Sequence, residues 1–485
     1  MAHWPGLIRL IQTFDSEVQK NFRCQSSNDC YPTDKDQAMK SEQQKDHWGS
    51  RLGFILATSG AAVGLGNIQR FPYITAQNGG AAFVLIYLAC VAFLGLPLIL
   101  VEFSIGRRTG KNPFDAIKEL CPGSLWKFAG LLGIATAFFI QSYYVVVAGW
   151  TLAYSGMMLT GKTMPIDEFA SQPSMVIPCT LIFQFITAFI VLQGLKKGIE
   201  RFSKILMPGL MVLLLILAVR SLSLEGSLSG VSYYLNPDFS KINPQVILFA
   251  LCQAFFSLCI GEAVLVTYGS YTKKSENLLS SAACISLFDT MIALLSGLII
   301  FPALFAMHQD PDQGTGLIFN IMPEIFQKIP FGNFFGFGFF VILSFAALTT
   351  CIALMEIPTN FIMQSKNWTR KKSVFCVATL TFLISIPAAL SKGGVTWLSE
   401  MSIESVRVQG FYEIMDFVWG SLAMVTGGFL LSLFVGWKWG TKNAIKELSQ
   451  GSPFFKKIAP LWGFHIRYIA PVVIFIILMS LFSGN

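Results

Sequence analysis

The sequence predicts an all-α integral membrane protein of about eleven transmembrane helices. They form a five-plus-five inverted repeat with the first and sixth helices unwound mid-membrane, plus one extra helix. Three observations lead there. Hydrophobic residues make up 53% of the chain and charged residues 13%, about half the charged share of a soluble domain. Apolar runs of about 20 residues, long enough to cross a bilayer, recur along nearly the whole length. Two of those runs, 58–72 and 244–271, hold glycines and ionisable groups that a plain membrane anchor would not carry.

The first 48 residues are polar, mixed in charge and without the apolar centre of a signal peptide. They read as a cytoplasmic tail (1–48), mostly disordered. Cys24 and Cys30 lie there without metal-ligand spacing and are expected to be free thiols. The other eight cysteines fall in or beside apolar runs, where cysteine acts as a small hydrophobe, and no disulfide framework is expected.

Residues 49–485 read as one transmembrane unit. Its spans fall roughly at 50–73, 81–106, 126–158, 174–193, 199–221, 243–270, 277–306, 333–364, 373–391, 409–437 and 463–482. Alternate connections are basic: Arg107, Arg108, Lys111 and Lys118; Lys196, Lys197 and Arg201; Lys273 and Lys274; Lys366 and Arg370–Lys372; then Lys438 to Lys457. The loops between them, near 160–173, 222–242, 307–332 and 392–408, hold few positive charges. This asymmetry puts the N-terminus in the cytoplasm and, with an odd number of spans, the C-terminus outside a multi-pass plasma (inner) membrane. It also accounts for the net charge of +8 without a nucleic-acid partner. Asn367-Trp368-Thr369 matches a glycosylation acceptor but falls on the cytoplasmic side, where it has no use. The segments 160–173 and 307–332 read as external loops able to cover a vestibule.

The run 58–72, TSGAAVGLGNIQRFP, has Gly60, Gly64 and Gly66 followed by Asn67, Gln69 and Arg70. A glycine inside a helix costs about 1 kcal/mol relative to alanine, and an arginine at mid-span roughly 2.5–3.5 kcal/mol. The run 244–271 repeats the anomaly with Gln253, Ser257, Cys259, Gly261 and Glu262 at its centre. Interrupted spans at matching places in two halves point to a transporter site at mid-membrane. Repeat one then covers about 50–221, repeat two about 243–437, and the extra helix about 463–482. Each repeat holds an odd number of spans, so the second is inverted. The two breaks therefore face each other, with amides for a carboxylate and carbonyls for a cation. The alternative is that the glycines only let helices pack closely.

At these residues the chain resembles the neurotransmitter:sodium symporter family and its bacterial amino-acid transporters. The resemblance runs from His47-Trp48 to the last span. It rests on AVGLGN (62–67), RFP (70–72), NGG (78–80), Tyr143-Tyr144, KGIERF (197–202), FFSL (255–258), TYGSY (267–271) and ALTT (347–350). It implies that an amino-acid carboxylate meets the Gly66 amide, the Tyr144 hydroxyl and a sodium ion. The substrate amine would meet carbonyls of Ala62, Phe256 and Ser257. Gly64 stands where the family's monoamine carriers place an aspartate, which favours a substrate with its own carboxylate. The rest of the pocket is implied to be Ile140, Phe256, Thr350 and Leu354, with Cys259 nearby.

Two sodium sites are implied: the first from Ala62, Asn67, Ser257 and Asp289 with the substrate carboxylate, the second from Gly60, Val63, Ala346, Thr349 and Thr350. These are oxygen donors, as a hard cation needs. Asp289 lies inside the apolar run ISLFDTMIALLSGLIIF, where a carboxylate is paired, protonated, functional or a structural cap. Chloride-dependent relatives have a neutral residue there, so the resemblance implies no chloride requirement. Arg70 and Asp416 match an external gate pair, with Phe256 as an aromatic lid between vestibule and substrate. Trp48 and Tyr271 match the inner gate, but Lys45 and Gln364 replace the usual arginine–aspartate pair there, so the inner gate cannot be that salt bridge. Ala61 replaces a polar residue that ties down the unwound backbone, which is expected to loosen the site.

Glu262 departs furthest, because the family places an aromatic residue or methionine there. A carboxylate in an apolar pocket is costly unless paired. Three readings stay open: it pairs with a cationic or polar substrate side chain, it carries a proton, or it hydrogen-bonds the backbone or Glu356.

The function this suggests is sodium-coupled import of a small amino-acid-like substrate by alternating access. A sodium- or proton-coupled carrier of a cationic amino acid or amine is the alternative, as is a sensor or channel on the same fold. An enzyme is not expected, since the four histidines (3, 47, 308, 465) are scattered and no hydrolase, Walker or zinc-protease motif occurs. The expected surroundings are membrane lipid; the substrate's identity, the ion stoichiometry and the oligomeric state are not encoded legibly.

Overall fold

The computed structural model describes residues 47–309 and 317–482. Among the described residues nine helices are long and apolar enough to cross a membrane, and a bent pair makes a tenth span; counting one further interrupted pair gives eleven. The first crossing is a broken pair, α1 (Arg51–Ala62) and α2 (Gly66–Gln77), bent by 54°. Four long helices follow: α3 (Ala81–Thr109), α4 (Lys127–Thr160), α5 (Pro173–Leu192) and α6 (Leu195–Leu222). The sixth crossing is again broken, into α7 (Pro244–Ser257) and α8 (Val264–Ser270). Then come α9 (Leu278–Ala306), α10 (Gly332–Lys366), α11 (Arg370–Leu390), α12 (Phe411–Lys438) and α13 (Phe455–Ser480). The two broken crossings head the two repeats and α13 is the extra helix.

The boundaries follow local chemistry. The Ser50 hydroxyl caps α1 by accepting from Gly53 N at 3.0 Å. Asn243, Asn277 and Thr369 cap α7, α9 and α11 in the same way. Gly161 ends α4 and Asn367 ends α10 in the left-handed region, a conformation that glycine and asparagine accept at least cost. That position of Asn367 is a helix cap, a sufficient reason for an asparagine there.

The scaffold around the breaks is α4 and α10, helices of 34 and 35 residues, or about 50 Å each at 1.5 Å per residue. They pack along their length and face α1 and α5. Large apolar side chains such as Phe93, Phe185, Val219 and Phe375 point outward, which suits a hydrocarbon surround. One departure from an all-helical chain is a two-residue antiparallel ladder, Ser402–Ile403 with Val408–Gln409. The last span starts eight residues earlier than expected, because Lys456, Lys457 and Pro460, which read as a loop, lie on the first turns of α13.

At the end of the bundle that carries Trp48, charged groups bind the elements together. Arg107, buried in α3, pairs with Glu447 at 2.8 Å and donates to the Glu276 carbonyl. Lys274 also reaches Glu447, and Arg51 pairs with Glu276. Glu200 of α6 accepts from Gly49 N, the Ser50 hydroxyl and Lys204, fixing the start of α1. Seven described cysteines are free thiols. Cys121, buried after the short helix Pro113–Leu120, is disulfide-bonded, a departure from the small-hydrophobe role expected of the cysteines in or beside the spans. The tail, with Cys24, Cys30 and Lys45, lies outside the described residues, as does 310–316 of the expected outer loop.

Candidate functional site

The first break opens at Val63, where the backbone turns extended (φ −73°, ψ 96°), and closes in a widened helical turn over Gly66–Arg70. The second spans Leu258–Ala263. Cys259, Gly261 and Ala263 all take left-handed φ (52°, 89° and 63°), which is unfavourable for cysteine and alanine and must be held by the surroundings. The hold comes from backbone packing. A Cβ on Gly261 would come within 2.8 Å of Gly428 N, and one on Gly427 within 2.6 Å of the Gly261 carbonyl. A Cβ on Gly133 of α4 would come within 2.8 Å of the Ala263 methyl. Glycines on α12 and α4 thus let two helices clasp the break.

Asn67, Ser257 and Asp289 meet between the breaks. Asn67 Nδ2 donates to Asp289 Oδ1 at 2.8 Å and to Ser257 Oγ at 3.0 Å, and Ser257 donates to Asp289 Oδ2 at 2.7 Å. All three are essentially inaccessible. Three further residues join them: Tyr87 donates to Ser257, Ser296 to the Asn67 carbonyl, and Gln253 Nε2 to the Gly66 carbonyl. The Gln253 Oε1 next to this cluster is buried without a partner among the described residues. The chemistry of the donor set fits a hard monovalent cation, since the hydroxyl, carboxylate and backbone carbonyl here are oxygen donors, and the Asn67 amide oxygen, which accepts from Gly64 N, lies on the same side chain. The uncharged Asn67 amide donates to one Asp289 oxygen and Ser257 to the other.

The second set also gathers. Thr349 donates to the Ala346 carbonyl at 2.9 Å, and Thr350 donates to the carbonyls of Ala61 (3.1 Å), Ala346 (3.3 Å) and Val63 (3.5 Å). A Cβ on Gly60 would sit 3.1 Å from Thr349 Cβ, so α1 and α10 touch here through a glycine. Ala61, expected to leave the backbone loose, is held through its carbonyl instead, by Thr350 and by the Cys259 thiol at 3.4 Å. The tether comes from the facing helices, so no polar side chain is needed at position 61.

Tyr144 accepts from Leu65 N at 2.8 Å. A Cβ on Gly64 would lie 2.6 Å from the Tyr144 oxygen and 2.7 Å from Thr350 Oγ1, so only glycine fits between them. Ile140 and Leu354 are buried one turn from Tyr144 and Thr350 on the same helix faces. Phe256 covers Gly66, whose Cβ would be 2.8 Å from the ring, and Arg70 lies over the other face at 4.4 Å.

Arg70 and Asp416 do not meet. They are not among the ion pairs of the described residues; Arg70 stacks on Phe256, and Asp416 hydrogen-bonds the Tyr143 hydroxyl. At the opposite end Trp48 is 5% exposed and donates Nε1–H to the Tyr268 carbonyl at 3.0 Å and N–H to the Tyr271 carbonyl at 3.2 Å. Its ring meets those of Tyr268 and Tyr271 edge-on at 5.2 and 6.1 Å. A salt bridge is present here after all, between other partners. Arg370 of α11 forks onto Glu356 of α10, and the Tyr271 hydroxyl donates to the same carboxylate at 2.8 Å. Gln364 instead accepts from Asn112. Glu356 is thereby taken, and it does not bond Glu262.

Sequence reading missed Glu102, Tyr87, Ser296 and the Glu356–Arg370 pair. Glu102 of α3 accepts from Gly261 N at 2.7 Å and is 1% exposed. The signal that singled out Asp289, a lone acid in an apolar run, was present in LPLILVEFSIG as well.

Two facing helix breaks at mid-bundle, with backbone amides and a converging oxygen set between them, define a membrane transporter rather than an enzyme. The comparisons with known proteins say which kind. Residues 45–168 and 163–484 match the profile of the sodium:neurotransmitter symporter family, and the chain belongs to that family. It is 38% identical over 452 residues to the uncharacterized sodium-dependent transporter YhdH of Bacillus subtilis, covering 91% of this chain and 98% of that one. A Haemophilus influenzae sodium-dependent transporter, also uncharacterized, is 34% identical over 91% of this chain and 99% of its own length. Among solved structures, that of MhsT in complex with L-phenylalanine superposes with a TM-score of 0.82 at 40% identity, covering 90% of this chain and all of that one. The chain is therefore a sodium-dependent, multi-pass membrane transporter.

Proposed function

We propose that this transporter imports an amino acid by alternating access, driven by sodium at two sites and without a chloride requirement. The observation that carries the reading is the Asn67–Ser257–Asp289 cluster: a buried carboxylate at the junction of the two breaks, beside the Gly66 amide and Tyr144. In this reading Ala62, Asn67, Ser257 and Asp289 hold one sodium ion, which the substrate carboxylate also touches. Gly60, Val63, Ala346, Thr349 and Thr350 hold the other. The Gly66 amide and the Tyr144 hydroxyl bind the carboxylate, and the carbonyls of Ala62, Phe256 and Ser257 bind the amine. Ile140, Phe256, Thr350 and Leu354 wall the side chain, with Cys259 and Glu262 at its far end. The relative solved with L-phenylalanine supports an amino acid as the class of substrate.

Asp289 supplies within the protein the negative charge that would otherwise come from an anion. Arg70, Phe256 and Asp416 act as the outer gate, with Arg70 stacked on Phe256 and apart from Asp416 in this conformation. Trp48 and Tyr271, anchored by Glu356–Arg370, act as the inner one. Arg51, Arg107, Lys274 and Arg370 all cluster at the Trp48 end, which supports a cytoplasmic N-terminus and an external C-terminus.

The test is a thermal-shift screen of the twenty amino acids in sodium and in potassium, followed by counterflow in proteoliposomes. Stabilisation by mass action is expected only where an amino acid and sodium are both present, with labelled-for-unlabelled exchange showing a carrier. Uptake should be equal in chloride and gluconate. Steep chloride dependence would overturn the assignment of Asp289, and binding without exchange would make the protein a sensor.

A further inference from the structure

Glu262 is the charge that the ion sites and gates leave over. It sits in the second break between two residues of left-handed φ and is 4% exposed. No ion pair of the described residues includes it. Its polar contact is the Cys259 thiol. That thiol also reaches the Ala61 carbonyl, which in turn takes the Thr350 hydroxyl. Glu262 is thus two contacts from the first break, on the side walled by Gly64, Tyr144 and Thr350.

A second acid accompanies it. The Glu102 carboxyl accepts from Gly261 N, the backbone beside Glu262, and is also bonded by the Val266 backbone. The two carboxyls lie close enough to interact through charge. Asp289 offers the contrast, since Asn67 and Ser257 hold both of its oxygens. Glu102 is met by backbone N–H groups of Gly261 and Val266 and Glu262 by the Cys259 thiol, and among the described residues no lysine or arginine pairs with either. A carboxylate out of water is tolerated when something of opposite charge reaches it. The contacts from Glu262 through the Cys259 thiol to the Ala61 carbonyl lead toward the first break.

We propose that Glu262 sets the class of substrate: an amino acid whose side chain ends in a cation, an amine or a guanidine, which pairs with Glu262. This rests on the reading that the breaks bind the amino-acid backbone. With the carboxylate at Gly66 and Tyr144, the side chain points toward position 262. A neutral side chain would leave Glu262 to be satisfied by a proton.

The purified protein in sodium is titrated with L-lysine, L-arginine, L-leucine and L-phenylalanine, following melting temperature and then uptake in proteoliposomes. The wild type is expected to bind the cationic pair at least about tenfold more tightly than the neutral pair, Glu262→Gln to lose most of that margin, and Glu262→Met to reverse it. The sodium-induced shift in melting temperature, retained in both variants, shows that they are folded. A wild type preferring leucine or phenylalanine, with the same ranking in Glu262→Gln, overturns the proposal. So does neutral-substrate uptake whose pH dependence disappears in Glu262→Gln, which would make Glu262 a proton carrier. If no amino acid of any kind stabilises the protein in sodium, the underlying reading of the site fails instead.

Discussion

Replacing Arg370 by glutamine isolates the energetics of the Trp48 end. The Glu356 side chain is fully buried and that of Arg370 is 17% exposed. Arg370 forks onto both Glu356 oxygens and donates Nε–H to the Val191 carbonyl at 2.8 Å. The Tyr271 hydroxyl is the other donor to Glu356, and Tyr271 in turn carries the Trp48 backbone. Arg370→Gln therefore leaves a buried carboxylate with one neutral donor. Stripping one partner from a buried pair costs about 3–5 kcal/mol. Arg370 is partly solvated, so we expect the lower part of that range, about 3 kcal/mol. At roughly 2 °C per kcal/mol for a long chain, the melting temperature should fall by about 6 °C. Thermal unfolding read by a thiol-reactive dye suits this protein, because Cys90, Cys259 and Cys351 are buried free thiols. The double variant Glu356→Gln/Arg370→Gln removes both charges and should recover most of the loss, giving a coupling of about 2 kcal/mol. If Arg370→Gln melts within about 1 °C of wild type, or the double variant melts below it, the pair does not hold this end together.

Two further outcomes follow from the breaks. Gly64→Ala puts a methyl 2.6 Å from the Tyr144 oxygen and 2.7 Å from Thr350 Oγ1, which costs about 1–3 kcal/mol by overpacking. Sodium-dependent uptake should drop to background while the chain still folds, and near-normal uptake would show that the gap at Gly64 is not part of the site. Asp289→Asn keeps the size but removes the charge that Asn67 and Ser257 face. The sodium concentration giving half-maximal thermal stabilisation should rise at least about tenfold, as loss of a charge-assisted contact predicts, and an unchanged midpoint would remove Asp289 from the cation site.

What the sequence disclosed depended on contrast with its surroundings. Glycine beside Asn67 and Arg70, or Glu262 within an apolar run, is expensive enough to stand out, so both breaks and Asp289 were visible without a structure. Glu102 is equally anomalous, but Arg107 and Arg108 five and six residues on make its run look like the end of a span near the headgroups. Arg370 was hidden among Lys366, Lys371 and Lys372, where it reads as one more charge of a basic loop. Only the packing of α11 on α10 shows that it turns inward to Glu356. The tether on Ala61 was illegible for a different reason: it uses the backbone carbonyl, and side-chain identity at that position says nothing about what a facing threonine or cysteine does.

The clasp of glycines around the second break has a thermodynamic consequence. Gly427 and Gly428 bring backbone against backbone at Gly261, and Gly133 lets the Ala263 methyl pack close, so the shape of that break is set when the chain folds. The entropy of ordering it is spent then and does not recur each time a ligand arrives. The first break is held by side chains, Tyr144, Thr350 and Cys259, through bonds that torsional rotation can undo. Recognition therefore pairs a preformed half with an adjustable one, and the freedom that ligand binding removes lies mainly between α1 and α2.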